Sequence, residues 1–216
     1  MSGDATTGGP SATAPVDAVV FDIGGVLIDW DPRHLYRQVI RDEIAMERFL
    51  AEVCTRDWHR QHDLGVPFSI TIPRLAAAHP EWAAEIRAYS DRFAEMWVGP
   101  MPAVEVLASL RAAGTPTYGA TNWPAETWEQ ARRLFDFLNW FDGCLVSGEA
   151  GVAKPSPRFF DLLVERFKLV PPSTLYVDDH ADNLAPAEAR GFVTHRFRTV
   201  VELVEDLRVR GLLGPA

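Results

Sequence analysis

Four short segments carry the groups in this chain that could handle an anion. In Ala18-Val19-Val20-Phe21-Asp22-Ile23-Gly24-Gly25-Val26-Leu27 an apolar run delivers one carboxylate, Asp22, into a glycine turn. A buried parallel strand that ends this way presents an acid at its carboxyl edge, where α/β proteins bind ligands. Thr121 and Asn122 end a second such run and offer a hydroxyl and an amide to an anionic oxygen. Lys154, in Gly151-Val152-Ala153-Lys154-Pro155, stands just before a helix start, where its charge adds to a site that already favours anions. Thr174-Leu175-Tyr176-Val177-Asp178-Asp179-His180-Ala181-Asp182-Asn183 closes a third run with paired carboxylates. Like charges that close raise each other's pKa unless a cation or a donor neutralises them. Oxygen ligands without Cys or spaced His favour Mg²⁺ over zinc. Each segment alone also has a plainer reading. Asp before Gly and Asn at a strand end are ordinary turn residues, a lysine is usually solvated, and Asp178-Asp179 suits an Asx turn with an N-cap.

Bringing these groups together requires strands that end side by side. From residue 102 onward strand and helix alternate. Helices are expected at 102–113, 125–135, 184–190 and 200–210, with a further helix opened by Ser156 and Pro157 as N-cap and N1 and carrying Phe160, Leu163 and Phe167 inward. Strands are expected at 116–121, 143–147, 174–177 and 193–196. The pattern predicts an α/β fold, a Rossmann-like doubly wound parallel sheet. Between Trp30 and Gly99 it changes to helices without strands, over 34–53, 70–78 and 80–97, broken by Gly65, Pro67 and Pro80. The expected organisation is a core of residues 16–29 and 100–216 with a helical cap at 30–99. The insertion follows the Asp22 turn directly, so it projects from the carboxyl edge and could roof the site.

The length of 216 residues fits one such core plus an insertion. No uncharged apolar run approaches the ~18 residues needed to span a membrane. A formal net charge of −9 and a pI near 5.1 argue against a nucleic-acid surface, which needs clustered Lys and Arg. Cys54 and Cys144 lack CxxC or Cys/His spacing and read as free thiols in a reducing compartment, Cys144 as a core residue. Residues 1–15 are almost all Gly, Ser, Ala, Thr and Pro, without the basic start and apolar centre of a secretory signal, and read as a disordered tail. A cytoplasmic protein is the expectation, with its oligomeric state left open.

The order Asp, Thr-Asn, Lys, Asp-Asp, each at a strand end, resembles the four motifs of the haloacid dehalogenase-like (HAD) hydrolase superfamily over roughly residues 17–198. The run from Asp178 to Leu184 is similar to that of small sugar-phosphate phosphatases and of the phosphatase half of soluble epoxide hydrolases. The insert looks like the small cap of the superfamily's first cap class. The resemblance implies that Asp22 attacks phosphorus and forms an aspartyl-phosphate that water hydrolyses. It further implies a Mg²⁺ ion on Asp22, the Gly24 carbonyl and Asp179, with Asp178 acting through water. Lys154 would screen nucleophile and phosphate, and Thr121 and Asn122 would hydrogen-bond the transferring phosphoryl group of a small phosphorylated metabolite, a sugar phosphate being one candidate.

One departure stands out. Phosphatases of the superfamily usually carry a second Asp two residues after the nucleophile to protonate the leaving group, and here that place is Gly24. Substitutes from the insert could be His34, His59, His62 or Asp57, each of which also reads as an ordinary surface residue. Asp29 reads as a structural residue of the loop entering the cap. The 2-haloacid dehalogenases of the superfamily also lack the second Asp, but they need no metal and carry an aromatic residue where Gly24 stands. The other alternative is a catalytically weak HAD-fold protein that binds a ligand or partner. Trp58, His59, His62 and Trp97 could line a substrate pocket, although most aromatic residues of such an insert pack as core. Trp123, beside Asn122, could form a wall of the site.

Overall fold

Val19, Val20 and Phe21 leave no face of their strand polar, so both faces must be covered by protein. In the computed structural model, which describes residues 16–214, they form β1 (Ala18–Phe21) at the centre of a five-stranded parallel sheet. The chain then passes through a tight turn into β2 (Asp29–Trp30) and the helices α1 (Pro32–Val39), α2 (Glu43–Glu52), α3 (Arg56–Asp63), α4 (Phe68–Ala78) and α5 (Ala83–Asp91). It returns through β3 (Trp97–Val98) and α6 (Ala103–Ala112) to β4 (Thr117–Thr121), α7 (Ala125–Leu134) and β5 (Gly143–Val146). The short α8 (Ser147–Ala150), then α9 (Pro157–Phe167), β6 (Thr174–Asp178), α10 (Ala181–Glu188), β7 (Val193–Arg196) and α11 (Val200–Val209) complete the fold.

The sheet order is β5-β4-β1-β6-β7. The chain starts in the middle, moves outward through β4 and β5, and crosses to the other side for β6 and β7. At such a reversal the carboxyl ends of neighbouring strands open onto a common crevice, and here those strands are β1, β4 and β6. Side-chain alternation divides the core between the two faces. Val19, Phe21, Leu175 and Val177 pack on one face, and Val20, Tyr176, Ala120 and Leu145 on the other.

The insert departs from its expected all-helical form. β2 and β3 pair antiparallel, Asp29 opposite Val98 and Trp30 opposite Trp97, and tie the two ends of the insert together. The helix expected over 34–53 is two helices. Ile40 takes an extended conformation, and Asp42 caps α2 by accepting from Ala45 N at 2.7 Å. Helix α3 has no counterpart in the expectation, because Arg56-Asp57-Trp58-His59-Arg60-Gln61-His62-Asp63 holds one strongly apolar residue and shows no stripe. The expected 80–97 helix is α5 flanked by two short 3₁₀ turns, with β3 at its end. In the core, α10 starts at Ala181 rather than Leu184, Ser156 makes no capping hydrogen bond, and Phe167 and Cys144 are only half-buried. The expectation for residues 1–15 lies outside the described residues. Among the described residues no helix is long and apolar enough to cross a membrane.

Candidate active site

Asp22 is the first residue past β1, and its backbone N–H still bonds Val177 O of β6 at 2.8 Å, so the strand end is held as the chain turns. The residue is 6% exposed. Its Oδ1 accepts from Ile23 N at 2.7 Å, and its Oδ2 lies 2.8 Å from Lys154 Nζ. That ammonium, on a residue 2% exposed, donates equally to Asp178 Oδ2 at 2.8 Å. One cation therefore sits between two carboxylates that the sequence separates widely.

Asp178, the last residue of β6, is saturated. Besides Lys154, its Oδ2 accepts from Tyr176 Oη at 2.9 Å and Asn183 Nδ2 at 3.1 Å, and its Oδ1 from His180 N and Asn183 Nδ2, each at 2.9 Å. Burial works against its charge, but Lys154 and these donors outweigh it and hold its carboxyl below the ordinary range. Asp179 is the opposite case. Its Oδ1 is buried with no hydrogen-bond partner among the described residues, and burial with the Asp178 charge pushes its carboxyl up against the opposing pull of His180. Gly25, at φ +76°, makes room for it, since a Cβ there would stand 2.5 Å from Asp179 Oδ2.

Three carboxylates thus face one ammonium. Burial drives Asp22 well above its ordinary range, with Asp178 and Asp179 adding to the shift and Lys154 opposing it. Burial also disfavours the Lys154 charge, but Asp178 and Asp22 overcome this and keep the ammonium intact. Asp22, Asp178 and Asp179 each offer an oxygen within 4.8 Å of the others. The Gly24 carbonyl accepts no hydrogen bond among the described residues. An orphaned carboxylate oxygen, an unused carbonyl and an excess of buried negative charge fit a hard divalent cation such as Mg²⁺.

In the second motif the Asn122 amide, expected to donate to an anionic oxygen, also holds the backbone of Lys154. Nδ2 donates to Lys154 O at 3.0 Å and Oδ1 accepts from Lys154 N at 2.9 Å. The side chain is a brace that aims the lysine. Thr121 is fully buried, and its hydroxyl has only a long 3.4 Å contact to Asn122 O. Residue types alone did not reveal Tyr176 and Asn183 as holders of Asp178. Spacing carried a signal, because residues i and i+2 of a strand share a face and Asn183 lies in the first turn of α10.

The insert aromatics that could line a pocket pack mostly as core, as most such residues do. Trp58 and Trp97 are buried, Trp58 edge-on to His62 and Tyr89, and Trp97 against Trp123. Trp123 is buried too and donates Nε1–H to Thr127 Oγ1 at 3.1 Å. His62, expected at the surface, is 1% exposed, and burial pushes its ring down to about 4. A ring that stays neutral in the native state but is protonated in the unfolded chain costs stability as pH falls from 6.5 to about 4. Urea unfolding is expected to register a loss on the order of 3 kcal/mol across that window. His62→Gln should lack that part of the pH dependence.

The sequence pattern of the haloacid dehalogenase-like hydrolases matches residues 16–191. The chain belongs to that family. Among the HAD-like hydrolases it is 24% identical over 201 residues to the sesquiterpene phosphatase of Aspergillus oryzae, covering 86% of this chain and 94% of that one. It is 27% identical to the phosphorylated carbohydrates phosphatase of Thermotoga maritima over 88% of each chain. A HAD-family enzyme of Bacteroides thetaiotaomicron, solved in complex with magnesium and inorganic phosphate, shares the fold at a TM-score of 0.65. It is 18% identical, over 86% of this chain and 96% of that one. The five-stranded sheet with flanking helices is accordingly the HAD fold.

Proposed function

We propose that this HAD-like hydrolase is a Mg²⁺-dependent phosphomonoester hydrolase whose nucleophile is Asp22, acting on a small phosphorylated metabolite such as a sugar phosphate. The observation that carries the reading is the ammonium of Lys154 held 2.8 Å from both Asp22 and Asp178, beside the orphaned Asp179 oxygen. A scaffold with no ligand has no use for such a cluster, because buried charges cost stability unless they are paired or bind something. The phosphatase names of its relatives and the magnesium and phosphate bound by its structural neighbour point the same way.

In this reading an Asp22 oxygen attacks phosphorus, the bond to the leaving oxygen breaks, and water later releases phosphate from the aspartyl-phosphate. Lys154 offsets the charge of both carboxylate and phosphoryl group, and Thr121 donates its weakly held hydroxyl to a phosphoryl oxygen. Asn122 acts through Lys154. Asp22, Asp179 and the Gly24 carbonyl would hold Mg²⁺, which when bound would supply the positive charge that lets a carboxylate approach a phosphate dianion. Asp178, its lone pairs already filled, supports that set from behind. The insert, which touches the segment after β4 through the Trp97–Trp123 contact and the Phe68 N–H donated to Glu126, serves as the cap that selects the substrate.

Hydrolysis of 4-nitrophenyl phosphate with Mg²⁺ and with EDTA, beside halide release from chloroacetate, tests the reading. Activity should require the metal and return when it is restored, with chloroacetate untouched. Halide release without metal would make the protein a dehalogenase, and silence on both substrates would leave a binding protein.

A further inference from the structure

A departing alkoxide needs a proton, and Gly24, two residues after Asp22, has no side chain to give one. Crowding is not the reason, since a Cβ on Gly24 would meet nothing nearer than Trp30 Cβ at 3.9 Å. The four polar candidates of the insert differ in what they have left to donate. His62 is buried with both ring nitrogens occupied, by Val66 O at 3.2 Å and Thr71 Oγ1 at 3.4 Å. His59 has Nδ1 on the Tyr89 hydroxyl, and its ring, 17% exposed, packs against Trp30 and Phe93 with Nε2 toward Asp63 Oδ1 at 3.4 Å, too poorly aligned for a hydrogen bond. Asp57 lies exposed on α3. His34 is different: Nε2 sits 2.9 Å from Asp29 Oδ2, and Nδ1 has no partner among the described residues.

Its location follows from the nucleophile turn. Gly24 bridges Ile28, Asp29 is the next residue, and α1 begins three residues later. The Asp29 carboxylate and the His34 ring therefore ride on backbone tied directly to the turn that carries Asp22. Both side chains are partly open to solvent, 27% exposed for His34 and 52% for Asp29. The other charges of this helix start, Asp31, Arg33 and Glu47, are paired among themselves.

Resting on the phosphatase reading above, we propose that His34, oriented by Asp29, is the proton donor that replaces the missing second aspartate. With Nε2–H donated to Asp29, the imidazolium presents its other proton on Nδ1. As an Asp22 oxygen bonds to phosphorus, the bond from phosphorus to the leaving oxygen breaks with its electron pair on that oxygen. The oxygen takes the Nδ1 proton and departs as the alcohol. Neutral His34 then takes a proton from the water that attacks the aspartyl-phosphate, which releases inorganic phosphate and regenerates both the imidazolium and the Asp22 carboxylate.

Aryl phosphates test the assignment, because a good leaving group needs no proton and a poor one does. His34→Gln is expected to lower kcat/KM for phenyl phosphate on the order of 10²-fold while leaving kcat/KM for 4-nitrophenyl phosphate, which reads only the steps up to loss of the leaving group, near the wild-type value. The spared substrate also reports that the variant is folded. Asp29→Asn should give the same pattern at smaller size, as a positioning residue would. Gly24→Asp in the His34→Gln background should restore phenyl phosphate turnover. An equal fall on both substrates, or none on either, would overturn the assignment and leave the phosphatase reading standing. Wild-type protein inert toward both, or activity that survives Asp22→Asn, would overturn the two together.

Discussion

Asp22→Asn is expected to lower hydrolysis of 4-nitrophenyl phosphate by something on the order of 10⁴- to 10⁶-fold, the scale seen when an enzyme loses its nucleophile. The amide keeps the shape of the carboxylate and its one oxygen can still accept from Lys154 Nζ, while the NH₂ that replaces the other oxygen no longer accepts from Ile23 N. It cannot attack phosphorus. The same substitution is expected to raise the melting temperature of the metal-free protein, because it removes one of three carboxylates crowded around a single ammonium. The pH dependence gives a second signature. Native Asp22 holds its proton to higher pH than the unfolded chain does, so metal-free wild-type stability falls as pH rises through the raised range. The asparagine variant should lose that dependence. A variant that is inactive and also less stable would show that Asp22 serves the fold, and the catalytic reading would fail.

Lys154→Met should be damaging in both respects. The methionine occupies similar volume but leaves Asp22 and Asp178 buried without the cation between them. Removing one partner of a buried pair typically costs about 3–5 kcal/mol, and the urea midpoint is expected to fall accordingly. Activity should vanish, since nothing then offsets the charge of the phosphoryl group as Asp22 approaches. Adding Asp22→Asn to Lys154→Met is expected to recover part of the stability and none of the activity. Unchanged unfolding of the single variant would mean that both acids are protonated in the native state, with no role for the lysine in holding them.

The core strands were legible because their residues are apolar on both faces and the polar residue that ends each one stands out against them. That contrast placed Asp22, Thr121 and Asp178 at the ends of β1, β4 and β6, as found. The insert was harder to read. Helix α3 is almost wholly polar, so no stripe marks it, and β2 and β3 are two residues each, too short for alternation to show. The site divided in the same way. Lys154 was visible as a charged residue at a helix start, but its partners lie far along the chain, and Asn122 reaches it across 32 positions to grip its backbone.

Residue type and order determined the α/β class, the strand ends that carry chemistry and the absence of a carboxylate at position 24, because these are local properties spanning a few residues. Which atoms meet was decided by tertiary structure alone: that Asn122 braces Lys154, that Asp178 is saturated while an Asp179 oxygen has no partner among the described residues, that His62 is buried while His34 Nδ1 has none among them either. Hydrogen bonds and ion pairs act over about 3 Å, and that distance between segments far apart in the chain exists only once the sheet has brought them to one edge.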